Sequence, residues 1–109
     1  MKKQVGDQVI ARDKTGNVIW QPTIKGIAKL RSPKDYEPAL MLVEHEDGNK
    51  ELYFAYWKIV DGKQRFANRP PMFGEGVWLE LLTDAIRQRF FSKDFLKNLV
   101  IESVGVLAK

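Results

Sequence analysis

The sequence contains no cysteine and a single histidine, His45. Without cysteine there is no disulfide scaffold, no thiol nucleophile and no thiolate metal site. One histidine, with no serine or aspartate in a recognisable nucleophile turn, leaves no triad to build. Gly74-Glu75-Gly76 precedes a helical pattern. It lacks the third glycine of a dinucleotide fingerprint and the lysine of a phosphate loop, and Glu75 opposes an anion at that helix start. His45, beside Glu44, Glu46 and Asp47, reads as an ordinary strand-end residue rather than a ligand in a carboxylate metal site. The expectation is a non-enzyme without cofactor or metal.

Long apolar runs are missing too. Nothing approaches the ~18 residues of a spanning helix, and MKKQVGDQV has no apolar stretch of a signal peptide. A cytoplasmic protein is expected. At 109 residues, 44% hydrophobic and 29% charged, the chain fits one soluble globular domain over 1–109.

The net charge of +4 is modest, but its distribution is uneven. Residues 1–34 hold eight Lys/Arg against two acids. Residues 35–49 hold five acids and no Lys/Arg, and 50–73 hold five cations against two acids. Residues 74–109 balance at zero. Two basic segments are thus split by an acidic one. If both basic segments shared a face they would attract polyanions; scattered, they would only solubilise.

Most of the chain reads as strand. Val9–Ala11 leads into the turn cluster Asp13–Asn17, and Val18–Trp20 follows. In Thr23–Leu30, Ile24, Gly26, Ala28 and Leu30 fall on one side; Gly26 marks a bulge or a close backbone approach. Ser32–Pro38 reads as a loop because of its two prolines. Leu40–His45, Glu51–Val60 and Lys63–Ala67, joined by Asp47-Gly48-Asn49 and Asp61-Gly62, predict an antiparallel meander, since Asp-Gly between apolar runs is a hairpin signal.

The apolar residues Val77, Trp78, Leu81, Leu82, Ala85 and Ile86, extended by Phe90, recur at helical period. Glu80, Asp84, Arg87 and Gln88 line the opposite side, read as solvated, with Asp84 and Arg87 able to pair. Ser92 is a candidate N-cap for a short helical turn through Leu99. Val100–Leu107 fits either an edge strand or a helical tail. The fold class expected is α+β: a curved antiparallel sheet covered by one long C-terminal amphipathic helix.

Between Lys50 and Phe73 lie six aromatic residues (Tyr53, Phe54, Tyr56, Trp57, Phe66, Phe73) and the cations Lys50, Lys58, Lys63, Arg65 and Arg69. Rings for bases and cations for phosphates are what single-stranded nucleic acid binding requires. Tyr53, Trp57 and Phe66 are the candidate stacking residues; Lys58, Lys63, Arg65 and Arg69 are the candidate phosphate ligands. Aromatic strands also build the cores of small sheets. Both faces of Glu51–Val60 are apolar, so either the strand is buried on both faces or one face is an exposed platform.

Tyr56-Trp57, Asp61-Gly62, the basic return Lys63–Arg69, and Trp78 with Leu81-Leu82 resemble the core of the PC4-like single-stranded-DNA-binding transcriptional coactivator family, over about residues 40–90. The resemblance implies a homodimer that binds unpaired DNA or RNA across its β surface, with a role in transcription or DNA metabolism. Here Asn68–Gly76, with two prolines and Glu75, replaces the family's glycine-rich basic step. The alternatives are a protein-interaction module or subunit of a larger assembly using the aromatic sheet face, and a small-ligand-binding domain with its pocket between sheet and helix. A homodimer would also relieve an open edge at Lys63–Ala67 or Val100–Leu107, the latter poor in charged guards.

Overall fold

Turn chemistry sets the strand boundaries. The computed structural model describes residues 3–66 and 72–109. Its strands are β1 (Ala11–Arg12), β2 (Val18–Trp20), β3 (Thr23–Lys29), β4 (Tyr36–Glu44), β5 (Lys50–Val60) and β6 (Lys63–Phe66); its helices are α1 (Glu75–Arg87) and α2 (Lys93–Leu107). Asp61 and Gly62 both take positive φ, 51° and 74°, as the two-residue type I′ hairpin between β5 and β6 demands. Gly48, at φ 87°, closes the β4–β5 loop. There the His45 amide donates to the Asn49 carbonyl, and the Gly48 amide to the His45 carbonyl, each at 2.9 Å.

The main sheet has four antiparallel strands in the order β3-β4-β5-β6. The expected meander is its larger part. β4 begins earlier than expected and includes Pro38, opposite Tyr56. The β3 ladder ends at Lys29 opposite Ala39, so Pro38 needs no amide for a second neighbour. β1 and β2 form a separate two-stranded ribbon.

In β3 the register shifts between Ile24 and Gly26. Lys25 is the extra residue of a bulge and pairs with Glu44 at 3.5 Å. The shift corrects the simple alternation expected for this strand. Ile24 and Ile27 now share one face of the sheet; Gly26 and Ala28 share the other.

Both faces carry a core. On one, Ala28 and Leu40 pack with Leu81 and Ala85 of α1, bordered by Phe54, Val77, Trp78, Phe90 and Phe91. On the far face, Ile24, Met41, Val43 and Ala55 pack together, bordered by Val9, Trp20, Ile27, Tyr53 and Trp57. β5 is therefore apolar on both sides because each side borders a core, although Tyr53 and Trp57 on the far side stay partly exposed.

α1 supplies more than an apolar face. The Asp84 carboxylate accepts from the Lys29 amide at 3.0 Å and Glu80 from the Arg31 amide at 2.7 Å. The Gln88 side-chain amide donates to the Ile27 carbonyl at 2.8 Å. These side chains satisfy the outer edge of β3, so Glu80 and Asp84 are not merely solvated. The other end of that edge is met by the N-terminal segment: Gly6 donates to Ile24, Ile24 to Asp7, and Val9 to Pro22. This edge of the sheet, which would otherwise offer free backbone groups to another chain, is thus guarded.

α1 stops in a six-residue cap in which the Phe90 amide bonds the Ala85 carbonyl and the Arg89 amide bonds the Ile86 carbonyl, each at 3.0 Å. This is a Schellman motif, with Arg89 at φ 63° where glycine is usual. Ser92 then caps a second helix, accepting from the Phe95 amide at 3.1 Å. Two sheets and two helices therefore replace one sheet under one helix. Val100–Leu107, a candidate edge strand, is helical. Its β-branched residues favour strand, but the Ser92 cap, Asp94 in the first turn and the absence of proline carry the helix through.

No helix among the described residues is long and apolar enough to cross a membrane.

Candidate functional site

Two surfaces qualify. The first is the far face of the sheet. Tyr53 and Trp57 stand there on alternate positions of β5, half-buried. The third ring, Trp20 of β2, was not singled out by its sequence context. Its centroid lies 5.5 Å from Tyr53 and 5.6 Å from His45. His45 Nε2 lies 2.6 Å from Glu51 Oε1, which orients the imidazole against Trp20. His45 is therefore a packed, paired residue. Among the described residues no group of three or more His, Cys, Asp or Glu is placed to hold a metal.

A shallow hollow of about 390 Å³ opens beside Trp20, lined also by Val18, Ile19, Gln21, His45, Glu46 and Asp47. It lies at the β1–β2 ribbon. Its charged lining is acidic, which disfavours phosphate.

The rings of the aromatic segment divide between faces. Phe54, Tyr56 and Phe73 join Trp78 on the helix side, with centroid separations of 5.1 Å for Phe54–Trp78 and 5.9 Å for Tyr56–Phe73. Tyr53 and Trp57 lie on the far side, packed against the core there. The exposed Lys58 alternates onto the helix side of β5, away from both. Lys63, also exposed, is the ladder partner of Val60, again on the Lys58 side of the pleat. In the ladder Arg65 lies opposite Lys58 and Phe66 opposite Trp57. The side chains of Arg65 and Phe66, and all of Arg69, lie outside the described residues. The structure thus brings Tyr53 and Trp57 together, adds Trp20, and separates both from Lys58 and Lys63. On this face of the sheet Glu51 is paired to His45, and Glu37 is the ladder partner of Trp57.

The second surface is α2. None of its fifteen residues is buried, and it packs against no other strand or helix of the described chain. Its apolar residues Phe95, Leu99, Val100, Ile101, Val104, Val106 and Leu107 are exposed by 43% to 82%. At 100° per residue Phe95, Leu96, Leu99, Val100, Val106 and Leu107 fall on one arc of the helix, while Val104 borders that arc and Ile101 lies outside it. Only the first turn is tied to the body: Phe95 stacks on Phe91, with centroids 4.8 Å apart and planes at 14°, and Phe91 borders the α1 core. The radius of gyration, 15.9 Å, exceeds the ~13 Å of a compact chain this long.

No protein-family model, curated protein or solved structure matches the chain. The likeness to the PC4-like family accordingly rests on the residues quoted above.

Proposed function

We propose that the chain is a non-enzymatic interaction module, or a subunit of a larger assembly, that works through α2 rather than through its aromatic sheet face. The observation that carries this reading is a capped fifteen-residue helix with an apolar arc and no buried residue. An isolated helix of that length is marginal in water. An exposed apolar patch of this kind marks an interaction surface. The sheet face supports the role less well, because Tyr53 and Trp57 already border a core.

The test separates binding from folding. Leu99→Ala and Leu107→Ala keep helix propensity and should each change the stability of the chain by no more than about 0.5 kcal/mol. A loss of about 2 kcal/mol or more, as in a core truncation, would place α2 within its own fold and reject the reading.

A second reading is single-stranded DNA or RNA binding. It is favoured by Trp20, Tyr53 and Trp57 standing half-exposed on one face and by the net charge of +4. Oligo-dT should then bind at about 50 mM salt, more tightly than duplex of equal length. Trp57→Ala should lose about 1–3 kcal/mol of binding, with a melt to check that the ring's core contacts are not the cause. No uptake of oligo-dT or random RNA at that salt rejects this reading.

A further inference from the structure

The apolar arc of α2 has the area, the charge and the local chemistry of a self-association face. We infer that two copies of this chain associate through α2, arc against arc, about a twofold axis. The inference rests on α2 being the interaction surface and names the partner as a second copy.

Area comes first. The five exposed residues of the arc, 43% to 82% accessible, leave on the order of 600 Å² per chain in water, the upper end of the largest apolar patch on a typical monomer. Two such arcs facing each other could bury at most on the order of 1,200 Å², which reaches the lower bound of a specific stable interface. An isologous contact needs one self-complementary patch, which this largely apolar arc provides.

Charge narrows the partner. α2 carries Lys93, Asp94, Lys97 and Glu102, two of each sign. A helix that lies on an anionic membrane has a Lys/Arg-rich polar face, and one that holds a nucleic acid needs an excess of cations. This helix is neutral, so its attraction is apolar and carries no long-range preference for a polyanion.

The centre of the arc fits close helix packing. Leu96, Leu99, Val100, Ser103 and Leu107 recur at i, i+3, i+4, i+7 and i+11, the spacing of a helix–helix seam. Ser103 is the polar member. Its hydroxyl donates to the Leu99 carbonyl at 2.8 Å, so its proton is satisfied within the helix. The seam therefore presents no unmet donor to a partner, and its small side chain admits a near approach.

The experiment is sedimentation equilibrium of the whole chain from about 1 to about 100 µM, with amide exchange of α2 followed over the same range. The wild type should move from the 12.6 kDa monomer to twice that mass, with α2 amides gaining protection in step. Leu99→Lys, which places a charge in the seam, should weaken association by about 30-fold or more. Asn98→Lys, on the opposite arc, should leave it unchanged. A dimer indifferent to Leu99→Lys overturns the α2 interface. A monomer at all concentrations with unprotected α2 amides overturns self-association and leaves α2 as a face for another partner. A monomer with protected α2 amides overturns both this inference and the reading it rests on.

Discussion

The ring of Phe90 fills the space where a side chain at position 26 would stand. A β-carbon built on Gly26 would lie 2.5 Å from Phe90 Cε1 and 2.8 Å from Cζ. The cap at the end of α1 turns Phe90 back onto β3, and the bulge at Lys25 sets Gly26 on the helix face. Gly26→Ala should therefore displace a packed ring and cost about 1–3 kcal/mol, as overpacking does. Phe90→Ala removes the obstacle but opens a cavity. The double variant should be more stable than the sum of the two losses predicts, by at least about 0.5 kcal/mol. Urea melts of the four proteins measure this, and strict additivity would show that the two sites do not meet.

Leu81 and Leu82 are neighbours with opposite fates. Leu81 is fully buried and Leu82 is 37% exposed. Leu81→Ala should cost about 2–5 kcal/mol through lost transfer energy and a residual cavity. Leu82→Ala should cost clearly less, about 1 kcal/mol. Equal losses in denaturant melts would mean that α1 presents a different face to the sheet.

These two leucines show where the sequence stops informing. The helical period over residues 77–90 was legible, because apolar spacing is a local signal. The apolar stripe is broader than the contact, however. Leu79, Leu82 and Ile86 lie on an exposed flank, and no local rule decides between Leu81 and Leu82. Asp61-Gly62 was legible for the same local reason: both residues accept positive φ. Glu80 and Asp84 were not legible as edge guards, since their partners are 49 and 55 residues away. Trp20 escaped notice because only the tertiary fold seats it between His45 and Tyr53. For the candidate site, the aromatic segment was found but its division was not. Strand period placed Tyr53 and Trp57 on one face and Lys58 on the other, while joining rings to cations had required them to cooperate. Ser92 was legible as a cap for a helical turn through Leu99, but the β-branched run left Val100–Leu107 open between edge strand and helical tail.

The Asp13 turn has a pH signature. Its carboxyl is held below the ordinary aspartate value of 3.8, chiefly by the Thr15 hydroxyl and then by the Asn17 amide. Asp13 Oδ1 accepts from them at 2.6 and 3.0 Å, and from the Thr15 amide at 2.9 Å. A carboxyl depressed in the folded state binds its proton more readily when unfolded. Its contribution to stability is therefore present above pH 3.8 and is lost as pH falls through the lower folded value. Carboxyl-detected NMR should show Asp13 titrating below the ordinary aspartate value of 3.8. Thr15→Val should move it upward. A titration unmoved by that change would mean that the hydroxyl is not the main cause.

The Asp84–Lys29 bond leads to a prediction about the sheet edge. β3 ends the four-stranded sheet, and an outer strand with free amides is a template for another chain. Asp84 and Glu80 occupy the amides of Lys29 and Arg31, and Gln88 occupies the carbonyl of Ile27. Asp84→Ala and Glu80→Ala delete acceptors for partly exposed donors that water can reach. The stability cost should therefore stay near 1 kcal/mol for each. The local effect should be larger than the global one. Exchange of the Lys29 and Arg31 amides should quicken in the respective variants, and the double variant should aggregate sooner on heating. Asp84→Asn keeps an acceptor oxygen and should retain most of the Lys29 protection, which separates the hydrogen bond from simple charge. Unchanged exchange at Lys29 in Asp84→Ala would show that the carboxylate does not guard this edge.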